Sequence, residues 1–244
     1  MTLVVWSAVW QLGWLPQTSF PSPWATGKAL AGQFSATIFW ASIGETMRAW
    51  ALGLAVATCV GVVSGVLMGS SSFVRHSCSL IVEFLRPIPP VALIPLGLLM
   101  WGPSLEMSVT LVAFASVWPI LLQVIYGVQA IDPAVLEMAR SYRLSRSRTV
   151  AAVVFPSLLP FIATGIRISA AIALIVAVVT ELIGGAAGLG NTLGTLELAG
   201  AIPDMYAYIV WLGILGIIVN SIFSRGEGMV LRWHPSRQAG DARA

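Results

Sequence analysis

IDPAVLEMARSYRLSRSRTVAAVVFPSLLP, residues 131–160, is a polar, arginine-bearing stretch set between two apolar runs. Asp132 followed by Pro133 is a helix start. The carboxylate caps the first free N–H groups, and a proline at the first helical position gives up a donor that has no partner there anyway. From that point Val135, Met138, Ala139 and Tyr142 recur at helical spacing on one face, with Glu137, Arg140 and Ser141 off it. The pattern predicts a short amphipathic helix at a membrane surface. It can lie flat on the headgroups, each arginine drawn to anionic lipid by about 1 kcal/mol. Alternatively, its apolar face and flanking acid fit a groove on a partner protein. Periodicity alone leaves both open.

The runs on either side explain why a membrane surface is at issue. Apolar windows cover residues 3–16, 46–69, 79–101, 106–129, 160–183 and 205–224. A hydrocarbon core ~30 Å thick needs ~20 residues of helix, so the 244-residue chain is expected to be an all-α membrane protein with about six transmembrane helices. Composition agrees. Hydrophobic residues make up 57% and charged residues 9%, with a mean hydropathy of +0.88, where a soluble domain is roughly 25% charged. The N-terminal MTLVVWSAVWQLGWLP has no basic leader region and no small-residue cleavage site, and is read as a retained span. After it, QTSFPSPWATGKALAGQFSATIFWASIGE reads as a loop with an interfacial amphipathic piece whose aromatics suit the headgroup layer.

Basic residues set the orientation. Arg75, then Arg140, Arg143, Arg146 and Arg148, then Arg225, Arg232, Arg237 and Arg243 fall on one side when the spans alternate. That side is the cytoplasm by the positive-inside rule, which places both termini there. Lys28, Glu45, Glu106, Glu197 and Asp204 fall on the other. The expected division is a first membrane segment and outer loop over 1–35, a transmembrane domain over 36–232 with a cytoplasmic loop at 131–156, and a flexible tail over 233–244.

Charges and prolines within the spans need an account. In EFLRPIPPVALIP, residues 83–95, Glu83 and Arg86 share a helical face at a spacing of three and are placed to pair. Pro87, Pro89 and Pro90 remove three backbone donors and push their predecessors toward extended geometry, so the helix kinks or breaks. Non-helical backbone at membrane depth belongs where protein or water surrounds it. The break is therefore either a packing kink or part of a translocation path. Arg167 and Glu181 are fourteen residues apart, ~21 Å along a helix, so each needs another partner. Arg167 reads as a structural or gating contact and Glu181 as an outer-gate or binding-partner contact. Gln123, Tyr126, Thr180 and Asn220 are expected in helix–helix hydrogen bonds.

Other functions find little support. GGAAGLGNTLGTLELAGAIPD, residues 184–204, is glycine-rich and reads as a flexible outer loop; no strand precedes it to make a phosphate cradle. No GxxxxGK[ST] loop occurs, so the chain has no ATP site of that kind. His76 and His234 lack ligand spacing, and Cys59 and Cys78 are not placed to pair or to hold a metal, so no metal site and no catalytic set is expected. Nor is a nucleic-acid partner. The net charge of +3 is distributed as membrane topology requires.

LEMARSYRLSRSRTVAAVVFPSLLP, residues 136–160, resembles the EAA loop of permease subunits of ATP-binding-cassette importers. That pattern has Glu, a small residue, Ala, then Gly four residues on and an apolar stretch closing on Pro. Glu137 and Ala139 match, Met138 replaces the first alanine, and Pro156 and Pro160 match the close. FLRPIPPVALIPL and GIRISAAIALIVAVVTELIGG look like the nitrate, sulfonate and taurine branch, and the likeness covers roughly residues 36–232. It implies the type I importer permease fold in a bacterial inner membrane. It also implies that Asp132, Glu137, Met138, Ala139, Arg140, Tyr142 and Arg143 meet an ATPase, while Glu83, Arg86, Pro87, Pro89, Pro90, Arg167 and Glu181 belong to pathway or gate. Implied partners are two ATPase subunits that bind ATP and Mg²⁺, a second permease copy (a homodimer ahead of a heterodimer) and an extracytoplasmic solute-binding protein. A gradient-driven carrier or channel is the alternative. Arg143 departs from the pattern. Glycine there takes positive φ easily, so an arginine either reshapes the turn or accepts strain, and it is read as adding a charge to the partner interface.

Overall fold

The computed structural model describes residues 2–14, 16 and 18–230. The expected tail over 233–244 and Arg232, His234, Arg237 and Arg243 lie outside the described residues. Every regular element among those described is helical: α1 Thr2–Gln11, α2 Pro23–Gln33, α3 Thr37–Ser70, α4 Ser72–Leu85, a single tight turn Pro90–Leu93, α5 Ile94–Trp101, α6 Leu105–Gln129, α7 Pro133–Ser141, α8 Arg146–Thr149, a widened turn Val150–Val154, α9 Phe155–Gly184, α10 Leu189–Leu198 and α11 Ile202–Val230.

Among the described residues four helices are long and apolar enough to cross a membrane. The number is at most five, reached when α4 and the Pro90–Trp101 segment, bent by 82°, are taken as one broken span rather than a re-entrant loop. The six expected spans are thus revised. α1 has ten residues, about 15 Å at 1.5 Å each, half of what a crossing needs. If five spans are counted back from the C-terminal end, the positive-inside rule still groups the arginine-bearing loops on one side and predicts α1 and α2 on the other. α1 and α2 pack against the start of α11. Trp6 donates its Nε1–H to the Pro21 carbonyl at 3.1 Å, its ring lies 6.3 Å from Tyr206, and the Tyr206 hydroxyl donates to the Ser19 carbonyl at 3.2 Å. Gln33 of α2 donates to the Asp204 carbonyl at 3.3 Å.

Two other expectations change. Residues 37–45, read as loop, are the first turns of α3, because nothing between Thr37 and Glu45 breaks a helix; Gly44 alone does not. The glycine-rich stretch 184–204 is not a slack loop but carries the ten-residue α10. The interfacial piece is present as α2, started by Ser22, whose Oγ accepts from Ala25 N at 3.1 Å, and by Pro23.

The chain divides into two compact units. One comprises residues 1–52, 91–111 and 174–218. Its core is Phe39, Leu189 and Tyr208, flanked by Ile43, Leu193 and Trp211, with Phe39 edge-on to Tyr208 at 5.7 Å. The other comprises residues 53–90, 112–173 and 219–244 and centres on Met68, Leu121 and Ile125. There α3 presents Gly61, Gly65 and Gly69 to α6, and a Cβ at these positions would lie 2.9 Å from Ile120 Cγ2, 2.7 Å from Val124 Cβ and 2.7 Å from Val128 Cβ. Small residues every fourth position let backbones approach as membrane helices require. α6 and α9 are also joined in this unit, where Ser169 Oγ donates to the Ser116 carbonyl at 2.7 Å in a fully buried position.

Candidate functional site

The loop after α6 forms as its sequence directs. Asp132 Oδ1 accepts from Ala134 N at 2.8 Å and Pro133 opens α7. Leu136 is half-buried and Ala139 buried, so this side of α7 is covered. Val135 (41% exposed), Met138 (58%) and Tyr142 (75%) face outward. The apolar face read from the sequence is therefore divided: Ala139 turns inward, and the other three residues form an apolar strip with no cover. Glu137, Arg140 and Arg143 stand exposed beside the strip, as do Arg146 and Arg148.

The turn that ends α7 settles what Arg143 does to the backbone. Its φ is +53°, the one positive φ of a non-glycine among the described residues. Arg143 N donates to the Arg140 carbonyl at 2.8 Å and Leu144 N to the Ala139 carbonyl at 3.1 Å. Paired bonds of this kind close a helix through a left-handed residue, usually glycine. The arginine thus keeps the glycine's conformation rather than reshaping the turn. Ser145 then caps α8, its Oγ accepting from Arg148 N at 3.4 Å. The widened turn Val150–Val154 leads to Pro156, which has no N–H to return to the Ala152 carbonyl.

In α4, Glu83 and Arg86 do not pair, contrary to expectation. Two ion pairs are seen among the described residues, Arg48–Glu45 and Arg167–Glu227, both at 2.9 Å. α4 stops at Leu85 with Arg86 as its cap, and both charged side chains line an open cavity of about 840 Å³ together with Arg75, Ser79, Tyr126 and Gln129. Pro87 lines it too. The predicted break is present: Pro87 and Pro89 lie between helices, and Pro90 opens the tight turn before α5.

The other two intramembrane charges find partners distant in sequence. Arg167 donates to Glu227 Oε2 at 2.9 Å, while Thr164 Oγ1 donates to Glu227 Oε1 at 2.9 Å. This ties α9 to the end of α11. Glu181 is fully buried. Its Oε2 accepts from Thr46 Oγ1 and from Gly190 N, each at 2.9 Å, and Thr46 Oγ1 in turn accepts from Leu189 N at 2.9 Å. Carboxylate and hydroxyl together satisfy the first free N–H groups of α10, whose own cap residue, Gly188, has no side chain to do so. A Cβ on Gly188 would collide with that carboxylate, and one on Gly190 with the Val178 carbonyl. With its side chain buried, Glu181 acts on α10 from within.

Sequence reasoning missed Thr46, since a threonine in an apolar run carries no signal until its partner is known. It missed Arg48, which a reading of Glu45 and Arg48 at a spacing of three would have found. The expected hydrogen bond of Thr180 is not made: its Oγ1 is buried without a partner among the described residues. Tyr126 is 56% exposed and faces the cavity. No group of metal-ligating side chains occurs among the described residues.

Nitrate import permease protein NrtB of Synechocystis is 26% identical over 181 residues, which cover 74% of this chain and 66% of that protein. Bicarbonate transport system permease protein CmpB of Synechococcus elongatus is 26% identical over 196 residues, 80% of this chain and 70% of that protein. A probable ABC transporter permease of Brucella melitensis is 29% identical over 204 residues, 84% of this chain and 81% of that protein. The fold is shared with a chain of the inward-facing MetNI methionine ABC transporter, at a TM-score of 0.67 and 20% identity, covering 80% of this chain and 99% of that one. It is shared as well with a chain of an amino acid ABC transporter crystallised with histidines, at a TM-score of 0.65 and 19% identity, covering 83% and 97%. The sequence pattern of the binding-protein-dependent transport system inner membrane component matches residues 57–229, from the middle of α3 to the end of α11, and the chain belongs to that family.

Proposed function

We propose that the chain is the membrane-embedded permease subunit of an ATP-driven importer, moving a small anionic solute inward after an extracytoplasmic binding protein delivers it. The observation that carries this reading is the uncovered strip of Val135, Met138 and Tyr142 on α7, held at a fixed angle by the Asp132 cap and the Arg143 turn. An apolar helix face of this width suits a groove on a partner. The partner is a pair of ATPase subunits that hold ATP and Mg²⁺; Glu137, Arg140 and Arg143 frame the contact. A second copy of the chain completes the pathway, with Glu83, Arg86 and the Pro87–Pro90 break facing it, in the inner membrane of a bacterium. Relatives named for nitrate and bicarbonate transport support an anionic cargo.

Uptake by host cells separates this reading from a gradient-driven carrier. Cells carrying the chain are expected to lose uptake of nitrate, bicarbonate or an alkanesulfonate when arsenate depletes ATP, and to keep it when a protonophore collapses the gradient with ATP maintained. The opposite pattern supports the carrier and removes the need for an ATPase partner.

A further inference from the structure

The cavity beside α4 contains charges that the docking loop does not use. Arg75 lies in the first turn of α4 and Arg86 at its C-terminal cap. Eleven residues separate them, about 16 Å along a helix. Both line the cavity, with Ser79, Tyr126 and Gln129 as neutral hydrogen-bonding groups and Glu83 as its single carboxylate. Neither arginine is in an ion pair among the described residues. Guanidinium groups keep their charge in proteins, so the wall carries two cations against one anion. Arg86 closes α4 within a candidate bent span, and a charged side chain inside a membrane segment is costly and marks an ion or substrate path more often than a packing role.

We propose that this cavity is a subsite for a small oxyanion passing to the cytoplasm, with Arg86 as the deeper station and Arg75 as the shallower one. This rests on the importer reading and adds the ligand class and the residues that hold it. A guanidinium offers parallel N–H donors that match two oxygens of a planar or tetrahedral oxyanion, and about 840 Å³ leaves room for such an ion with much of its water. Glu83 lies three residues from Arg86, close enough to pair but unpaired here. It serves as a counter-charge in the same wall, and its repulsion of an anion limits how tightly the subsite holds its ligand. A phospholipid phosphate presents the same chemistry, and the test must tell the two apart.

The full-length chain in phosphatidylcholine nanodiscs would be treated with phenylglyoxal, and modification of Arg75 and Arg86 followed by peptide mass spectrometry, with the exposed Arg140 as internal reference. Nitrate, formate and ethanesulfonate would each be compared with chloride at equal ionic strength. At least one oxyanion is expected to slow Arg86 modification roughly tenfold relative to Arg140, the scale of one charge-assisted contact, and Glu83→Gln is expected to strengthen the protection. Equal rates in all four salts overturn the proposal. So does protection that arises only when phosphatidylglycerol is added and ignores the free anion, since the occupant is then a lipid headgroup. In the assembled transporter, Arg86→Gln is expected to lose uptake while the ATPase still co-purifies. Failure of the wild-type chain to bring down an ATPase counts against the importer reading, whatever the labelling shows.

Discussion

Arg143 holds a backbone conformation that costs most L-residues roughly 1–2 kcal/mol, at the end of the helix on which the functional reading depends. Its charge and its backbone are separable. Arg143→Gly is expected to stabilise the loop by about 1 kcal/mol but to weaken ATPase binding, read as a higher Tm and a lower co-purified yield. Arg143→Asn, neutral and tolerant of positive φ, should behave alike. A glycine variant that assembles and transports better than the parent would show that the charge contributes nothing. Glu181 gives the second test at this scale. Glu181→Gln retains a carbonyl for Gly190 N and Thr46 Oγ1 and is expected to fold, whereas Glu181→Ala leaves buried donors unpaired at about 1–3 kcal/mol each. Equal thermal stability of the two variants in detergent would contradict the capping role. The Asp132–Pro133 cap and the Pro87–Pro90 break were legible in the residues because each acts on its nearest neighbours. Glu181's partner was not, because Thr46 lies 135 residues away and only packing brings them together.

Among the elements, the same distinction between local and distant causes holds. Apolar windows located α6 to within one residue and α9 and α11 to within six at their ends, since a span is long and its composition uniform. Residues 184–204 looked slack because glycines suggest freedom, yet Gly188 and Gly190 are needed for the close seating of α10 on the Glu181 carboxylate and the Val178 carbonyl. The spacing of four between Gly61, Gly65 and Gly69 went unread in the sequence, because what the three glycines face comes only from the fold. A bulky residue at the centre of that repeat must force α3 from α6. Gly65→Leu is expected to destabilise by about 1–3 kcal/mol or more, whereas Gly213→Leu on α11, where a Cβ meets open space, should be tolerated. Similar melting temperatures for the two would show that the α3–α6 contact is not tight.

At the scale of the whole molecule, arginine placement predicts a cytoplasmic side for the loops at Arg75 and at Arg140–Arg148, and that side follows from the charge distribution of the entire chain. The sequence overcounted the spans because fourteen apolar residues resemble a crossing until helix length is measured. Five spans put α1 outside, six put its start inside. In a Cys59→Ser, Cys78→Ser background, Val4→Cys is expected to react with a membrane-impermeant maleimide added to intact spheroplasts, while Ser147→Cys reacts only after lysis; protection of Val4→Cys until lysis would restore the sixth span. The central claim is that the α7 strip seats an ATPase. Its most direct measurement is a mild-detergent purification of the tagged chain from its host membrane, with mass spectrometry of the proteins retained, beside Met138→Glu and Glu137→Arg variants. The account predicts that an ATP-binding-cassette subunit is recovered with the wild type and falls at least tenfold, about 1.4 kcal/mol, with either variant. Recovery of the chain alone, or an ATPase yield that neither variant changes, would contradict it.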